Sequence, residues 1–441
     1  MNCNNILIEL CTDGNLYELR SILEKYDKGN NVKLSIRYIH KAINVCSERG
    51  HVNCLMELLK RADDESLYDE TLKMNDINCG DDDDNNDDDD DSNNDDDEFG
   101  DEMELAIIAA ASNGRIDCLK VLLENYDIDI DLRNNKGFSA LLQAAKCGRQ
   151  ECIEYLLEQG ASLDITDFDT GKNIFHWTCY NNHCKCMEIL QDYADENRIN
   201  QSDDDDVKPI HYASRNGCTY CVESCLNAGA NVNALSNDNS TAAVFACLYG
   251  NVNVLEVLIA SGADINIKTN KGGNGLHCAI FGGHHDVVQY LLEYTDIDIH
   301  EKDGQGNSSI LYSCLYNRVD CLRECIKHGG NVNDEKDGLS ALVYAVRRNY
   351  QEIIVSLLKA GANLNFRDED GWTVLHWAAN SADNIECICL LIEMGADRYA
   401  ETANGETFAD LKHESYDDNF IDKIEEELDY RLQIRGLQIT D

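Results

Sequence analysis

The sequence predicts an all-α solenoid, a line of about eleven stacked helix-turn-helix units joined by short β-hairpin loops. Three observations carry that prediction. Turn residues recur at Gly137, Gly171, Asp206, Asn239, Gly272, Gly306, Gly338, Gly371 and Gly405, at intervals of 32 to 35 residues. Within each interval a small-residue helix precedes a Leu-rich one, as in Ala378 and Ala379 followed by Leu390 and Leu391. A glycine closes the second helix in unit after unit, at Gly160, Gly229, Gly262, Gly329, Gly361 and Gly395, where a left-handed residue ends a helix without strain. A chain of 441 residues is long for one compact core, and a linear stack avoids that limit because each unit packs only on its neighbours.

Residues 1–66 hold two divergent units around Gly14 and Gly50, as expected of repeats that present an end face to water. Residues 67–101 break the period. Their acidic run, Asp81–Glu98, has almost no apolar side chains and strong self-repulsion, so it is expected to be a disordered insertion. It reads as a solvated spacer or as a docking strip for basic tails. It lacks the internal turn glycine of a calcium loop. Nine regular units follow over 102–402. Residues 403–441 open like another unit and then change to a charged amphipathic helix, a cap for the last apolar face.

The regular units open on a recognisable helix start, which the two divergent ones lack. Ser139, Thr241, Ser340 and Thr373 are placed to accept an orphan backbone N–H. Pro209, the only proline, falls one residue into a helix, where a missing N–H costs nothing. His176, His211, His277 and His376 follow at one matching position. Stacked units lie about 10 Å apart, the distance between packed helices, too far for these imidazoles to share a zinc ion. They read as hydrogen bonds between neighbouring loops.

The tetrapeptide TVLH at Thr373–His376, the helix pair behind it and the period of about 33 residues together resemble the ankyrin repeat. The Asn-, Asp- and Ile-rich, proline-poor composition is similar to ankyrin arrays of protists and large viruses. The resemblance implies a non-catalytic scaffold that holds a partner protein through hairpin tips and the groove-facing ends of the first helices. Mapped onto this chain, the tip candidates are Phe138, Leu339 and Trp372, apolar residues on a surface expected to be wet. The helix-end candidates are Tyr249, Phe281 and Tyr316, one from each of three successive units, with Arg347 and Arg348 as a basic spot.

A net charge of −46 disfavours nucleic acid and anionic membranes and favours a basic protein partner. There is no apolar run long enough to span a membrane and no secretory leader, so a cytoplasmic or nuclear monomer is expected. The 21 cysteines fall largely on repeat-core positions, among them Cys54, Cys118, Cys152, Cys186, Cys221, Cys321 and Cys387, where the thiol serves as a small hydrophobe in a reducing compartment. Neither a cofactor nor a metal is expected; Cys179, His183, Cys184 and Cys186 read as repeat packing ahead of a zinc set. Cys3, Cys79, Cys147, Cys184, Cys218 and Cys389 fit the repeat less clearly. Two other functions compete with the scaffold: an adaptor that recruits ubiquitin-ligase machinery through the C-terminal helix, and an enzyme with a Cys nucleophile. No phosphate loop, kinase signature or nucleophile elbow supports an enzyme.

Overall fold

The computed structural model describes residues 3–27, 36–62, 97–126, 128–381, 384–414, 416 and 419–438. Most of the acidic run, and Cys79, lie outside them. The described residues form eleven helix pairs, from Cys3–Asp13 with Leu16–Asp27 to Val374–Ala379 with Ile385–Glu393. A short helix Glu196–Ile199 and a long one, Phe420–Gln438, stand apart from the pairs. The chain divides into two compact units, 1–231 and 232–441. The first holds six pairs, and the second holds five with the C-terminal helix.

Patterning decides which face of each helix is buried. The small residues Ala144, Ala145, Ala378 and Ala379 are fully buried, and so are the second-helix residues Leu122, Leu156, Leu258 and Leu357. Small first-helix side chains let neighbouring backbones approach, while the branched ones fill the layer behind. The helix starts match the sequence reading. The side chains of Ser139, Thr241, Ser340 and Thr373 each accept an N–H from three residues on, and Pro209 is the first helical residue of Pro209–Arg215.

Three hydrogen-bond systems join one repeat to the next. The first uses the repeated histidine. His176 Nε2 donates to the carbonyl of Val207 at 3.1 Å, His277 Nε2 to Asn307 at 3.2 Å and His376 Nε2 to Glu406 at 3.2 Å. A carbonyl can only accept, so these rings carry the Nε2 proton. Burial pushes the three imidazoles below their ordinary pKa, His176 to about 4.

The second system runs between hairpins. Phe168 N–H donates to Lys136 O, Asp204 to Thr170, Asn270 to Asp238, Gly304 to Lys271 and Ala403 to Asp370. Only one hairpin among the described residues forms a ladder, Glu335–Lys336 against Leu339–Ser340. Several others are closed by a side-chain oxygen, among them a hydroxyl at Thr402, whose Oγ1 accepts the N–H groups of Asn404 and Glu406. Asp203 Oδ1 accepts the N–H groups of Asp205 and Val207, and Asp303 Oδ1 those of Gln305 and Asn307. All nine predicted turn residues have positive φ, including the non-glycines Asp206 and Asn239.

The third system is a clasp at the start of the second helices. His51, Arg115, Arg149, His183, His284 and Arg318 each reach back to a carbonyl at the end of the preceding first helix, at 2.8 to 3.2 Å. The clasp passes against the loop of the repeat before. A Cβ on Gly250 would lie 2.5 Å from the His284 ring, so that loop residue has to be glycine.

Candidate partner-binding surface

One repeat position, the residue after the first-helix histidine or its equivalent, carries Trp177, Tyr212, Tyr312, Tyr344 and Trp377. Its polar tip is tied to the hairpin of its own repeat. Trp177 Nε1 donates to Asp167 Oδ2 at 3.1 Å, Tyr212 Oη to Asp203 Oδ2 at 2.6 Å and Trp377 Nε1 to Asp368 Oδ2 at 2.9 Å. Burial alone would raise the Asp203 carboxyl, but Tyr212, the Val207 N–H and Lys172 outweigh it and hold the group below the usual carboxylate range. Lys172 Nζ lies 3.2 Å from Asp203, with both side chains buried. The aromatic bodies are thereby fixed before any ligand arrives, which lowers the ordering cost of contact.

Some helix-end aromatics rest on this position: Tyr180 on Trp177 and Tyr212, and Tyr316 on Tyr312. In the second unit Tyr249, Phe281 and Tyr316 are 42%, 46% and 42% exposed. Phe281 and Tyr316 meet edge to face at 4.8 Å, and Tyr316 continues to Tyr312 at 5.5 Å. Tyr249 ends the preceding first helix, whose Leu248 carbonyl is held by the His284 clasp. In the first unit Trp177, Tyr180 and Tyr212 form a second aromatic run, with centroids 5.6 and 5.2 Å apart and Tyr180 42% exposed. Tyr180, Trp177, Tyr212 and Trp377 are not among the candidates drawn from the sequence. For the last three, their shared repeat position, three residues before the end of the helix or its equivalent, was the available signal.

The hairpin tips differ from expectation. Phe138 is buried, not wet: it packs 5.6 Å from Trp177, and Lys146 Nζ lies 4.2 Å over its ring. Leu339 and Trp372 are half-buried. The physical reason is the neighbouring rings: Trp177 of the next repeat covers Phe138, and Trp377 of the same repeat packs on Trp372. At Val207, Asn307 and Glu406 the carbonyl of the residue after the turn instead accepts the preceding repeat's imidazole. The residues around the turn itself, such as Asp204, Asp205 and Lys271, are the exposed ones. Trp372 lies 4.8 Å from Trp377, and the Arg347 guanidinium stacks 4.8 Å from Trp377 on its other contact. Arg347 and Arg348 are both exposed.

The cysteines behave as core residues over most of the chain. Cys54, Cys118, Cys152, Cys186, Cys221, Cys321 and Cys387 are all buried. Cys218 and Cys389, which fit the repeat less clearly in the sequence, are buried too, while Cys147, Cys184 and Cys278 are half-buried. Burial raises the thiols of Cys118, Cys152 and Cys186 to about 11 and those of Cys325 and Cys387 to about 12. A nucleophilic cysteine needs the opposite shift, and none of the shifted thiols among the described residues shows it. His183 and Cys186 do not join Cys184 in a ligand set: His183 is a clasp residue and Cys186 is core.

A family model for ankyrin repeats (three copies) matches residues 77–167, 163–236, 210–303, 276–368 and 310–402. An ankyrin repeat protein of Acanthamoeba polyphaga mimivirus is 23% identical over 367 residues, 67% of this chain and 47% of that protein. An ankyrin repeat protein of Escherichia coli K12 is 28% identical over 170 residues, 37% of this chain and 85% of that protein. The chain thus spans about half the length of the viral relative. Among solved structures, the ankyrin repeat domain of human ASB11 matches with a TM-score of 0.42 and 23% identity, over 58% of this chain and 98% of that domain.

Proposed function

Because the chain belongs to the ankyrin-repeat family, we propose that it is a non-catalytic scaffold that binds a basic partner protein through Tyr249, Phe281 and Tyr316. The observation that carries this reading is the row of half-exposed aromatics at three successive first-helix ends, with Phe281 packed on Tyr316 and Tyr316 on the Tyr312 ring. Aromatic side chains of this kind anchor protein interfaces at small entropic cost. The net charge of −46 supplies the preference for a basic partner, since aromatic faces and surrounding carboxylates both attract Lys and Arg. No described helix is long and apolar enough to cross a membrane.

The adaptor reading would need the C-terminal helix to be available to a recruited subunit. Phe420 and Ile424 of that helix are instead buried, and Cys389 Sγ of the last repeat donates to the Ile424 carbonyl at 3.7 Å. The test is affinity capture with the intact chain against a Tyr249→Ala, Phe281→Ala, Tyr316→Ala variant, read by quantitative mass spectrometry. The variant loses the specific partner, and capture by the native chain weakens as salt rises. Retention of every specific partner by the variant overturns the surface assignment.

A further inference from the structure

The clasp described above has an exception. Cys218 stands at the clasp position of its repeat, before the helix Thr219–Asn227. The tie to the preceding repeat is made two residues earlier, by Asn216, whose Nδ2 reaches the carbonyls of Cys179 at 3.1 Å and Tyr180 at 2.6 Å. The stack is therefore held without any help from position 218. Nor does space dictate a small residue there: Tyr350 occupies the same position in another repeat.

The Cys218 sulfur faces Cys184, the first residue of the preceding second helix, at 2.9 Å. The equivalent positions in other repeats hold Gln150, Val252, His285, Val319 and Gln351, so a thiol at 184 is not a repeat-core feature. The third member is Cys221, whose N–H donates to Cys218 Sγ at 3.3 Å. The three sulfurs all lie within 4.8 Å of one another. Cys218 and Cys221 are buried, and Cys184 is half-buried on the outer side.

We propose that Cys184, Cys218 and Cys221 bind one thiophilic d10 cation, Zn2+ or Cu+. Three sulfur donors with no imidazole or carboxylate among them select soft cations over Mg2+, Ca2+ or Mn2+. Zn–S bonds of about 2.3 Å place tetrahedral sulfurs about 3.8 Å apart. Cys184 and Cys218 must therefore part from 2.9 Å, a movement open to the half-buried Cys184 side chain. The remaining coordination position faces outward past Cys184, and a water can fill it around Zn2+. The first N–H groups of Thr219–Asn227 help to stabilise a thiolate at 218. Each thiolate that forms releases its proton to solvent, so charge and atoms balance without an oxidant. Behind the three, Cys179 and Cys225 lie 3.9 Å apart in the core and close the site to water from within.

The experiment uses the full chain, reduced and stripped with chelator. Zn2+ is titrated against a chromophoric chelator, and Cu+ against a bathocuproine competitor in a separate arm. One equivalent binds in the arm of the correct ion and raises the melting temperature. Cys184→Ser and Cys218→Ser each weaken that binding tenfold or more. Cys147→Ser, a half-buried thiol outside the cluster, leaves it unchanged. Binding in neither arm overturns the proposal, as does equal binding by the Cys184→Ser, Cys218→Ser double variant. A Cys184–Cys218 disulfide in a chain whose reduced form binds neither ion overturns it too.

Discussion

Asp368 accepts the indole N–H of Trp377 on Oδ2 at 2.9 Å, while its Oδ1 accepts the N–H groups of Asp370 and Trp372 at 3.1 and 2.8 Å. One carboxylate thus closes a hairpin and sets a ring. Asp368→Ala leaves all three donors without that partner. The expected cost is about 1–3 kcal/mol, seen as a lower urea midpoint together with a shifted tryptophan emission. An unchanged emission spectrum with an unchanged midpoint would contradict the dual role.

The buried histidines give a pH dependence with a definite sign. His176 titrates at about 4 in the folded chain because burial disfavours the imidazolium, while an unfolded histidine titrates near 6.5. The folded value is the lower one, so the stabilisation is complete above about 6.5 and is lost as pH falls from there toward 4. Its full size is about 3 kcal/mol. Relief of repulsion among the many carboxylates acts in the opposite direction, so the comparison is made against His176→Gln. The stability gap between native and variant chains, from urea unfolding at pH 7.5, 5.5 and 4.5, should narrow steadily. A gap that stays constant would refute the assignment.

Gly272 and Gly306 hold the same turn position with φ of +77° and +82°. A Cβ on Gly272 would run into the backbone N of Gly304 and approach its Cα at 2.8 Å, whereas a Cβ on Gly306 meets nothing within 4 Å. Gly306→Ala therefore costs only the left-handed backbone penalty, about 1–2 kcal/mol. Gly272→Ala costs more than that, because two hairpins must separate. Equal losses in melting temperature for the two variants would rule out the close approach.

Thiol exposure separates the cysteines into classes that alkylation can map. In native protein at pH 8, iodoacetamide modifies Cys147 and Cys184 first. Cys179, Cys225, Cys247 and Cys314, all fully buried, react only after denaturation. Mass mapping of early time points checks this, and early modification of Cys314 would show that the core is not closed.

The period, the caps and the histidine position were legible in the sequence because each is a local pattern repeated many times. Thr373 and His376 sit three residues apart and cap one helix whatever surrounds them. The tips were misread because burial there comes from the adjoining repeat: Phe138 looks like a surface residue until Trp177 and Lys146 are laid beside it. The thiol cluster escaped for a related reason. Cys184 and Cys218 are 34 residues apart, a separation that matches no metal motif and equals one repeat. Only stacking turns that distance into contact, and a motif search by short spacing passes over it.

The clasp has a direction. Its donor always belongs to the later repeat and its acceptor to the earlier one, across 36 residues for His284 and Leu248 and 37 for Arg318 and Phe281. On a ribosome, where the N-terminal end emerges first, each newly formed helix pair shows an unclaimed carbonyl until roughly one more repeat has been translated. At a joint closed this way, folding therefore trails synthesis by about one repeat, and longer at the Arg115–Glu48 clasp, whose partners are 67 residues apart; a pause in translation within that interval would leave the joint half-finished.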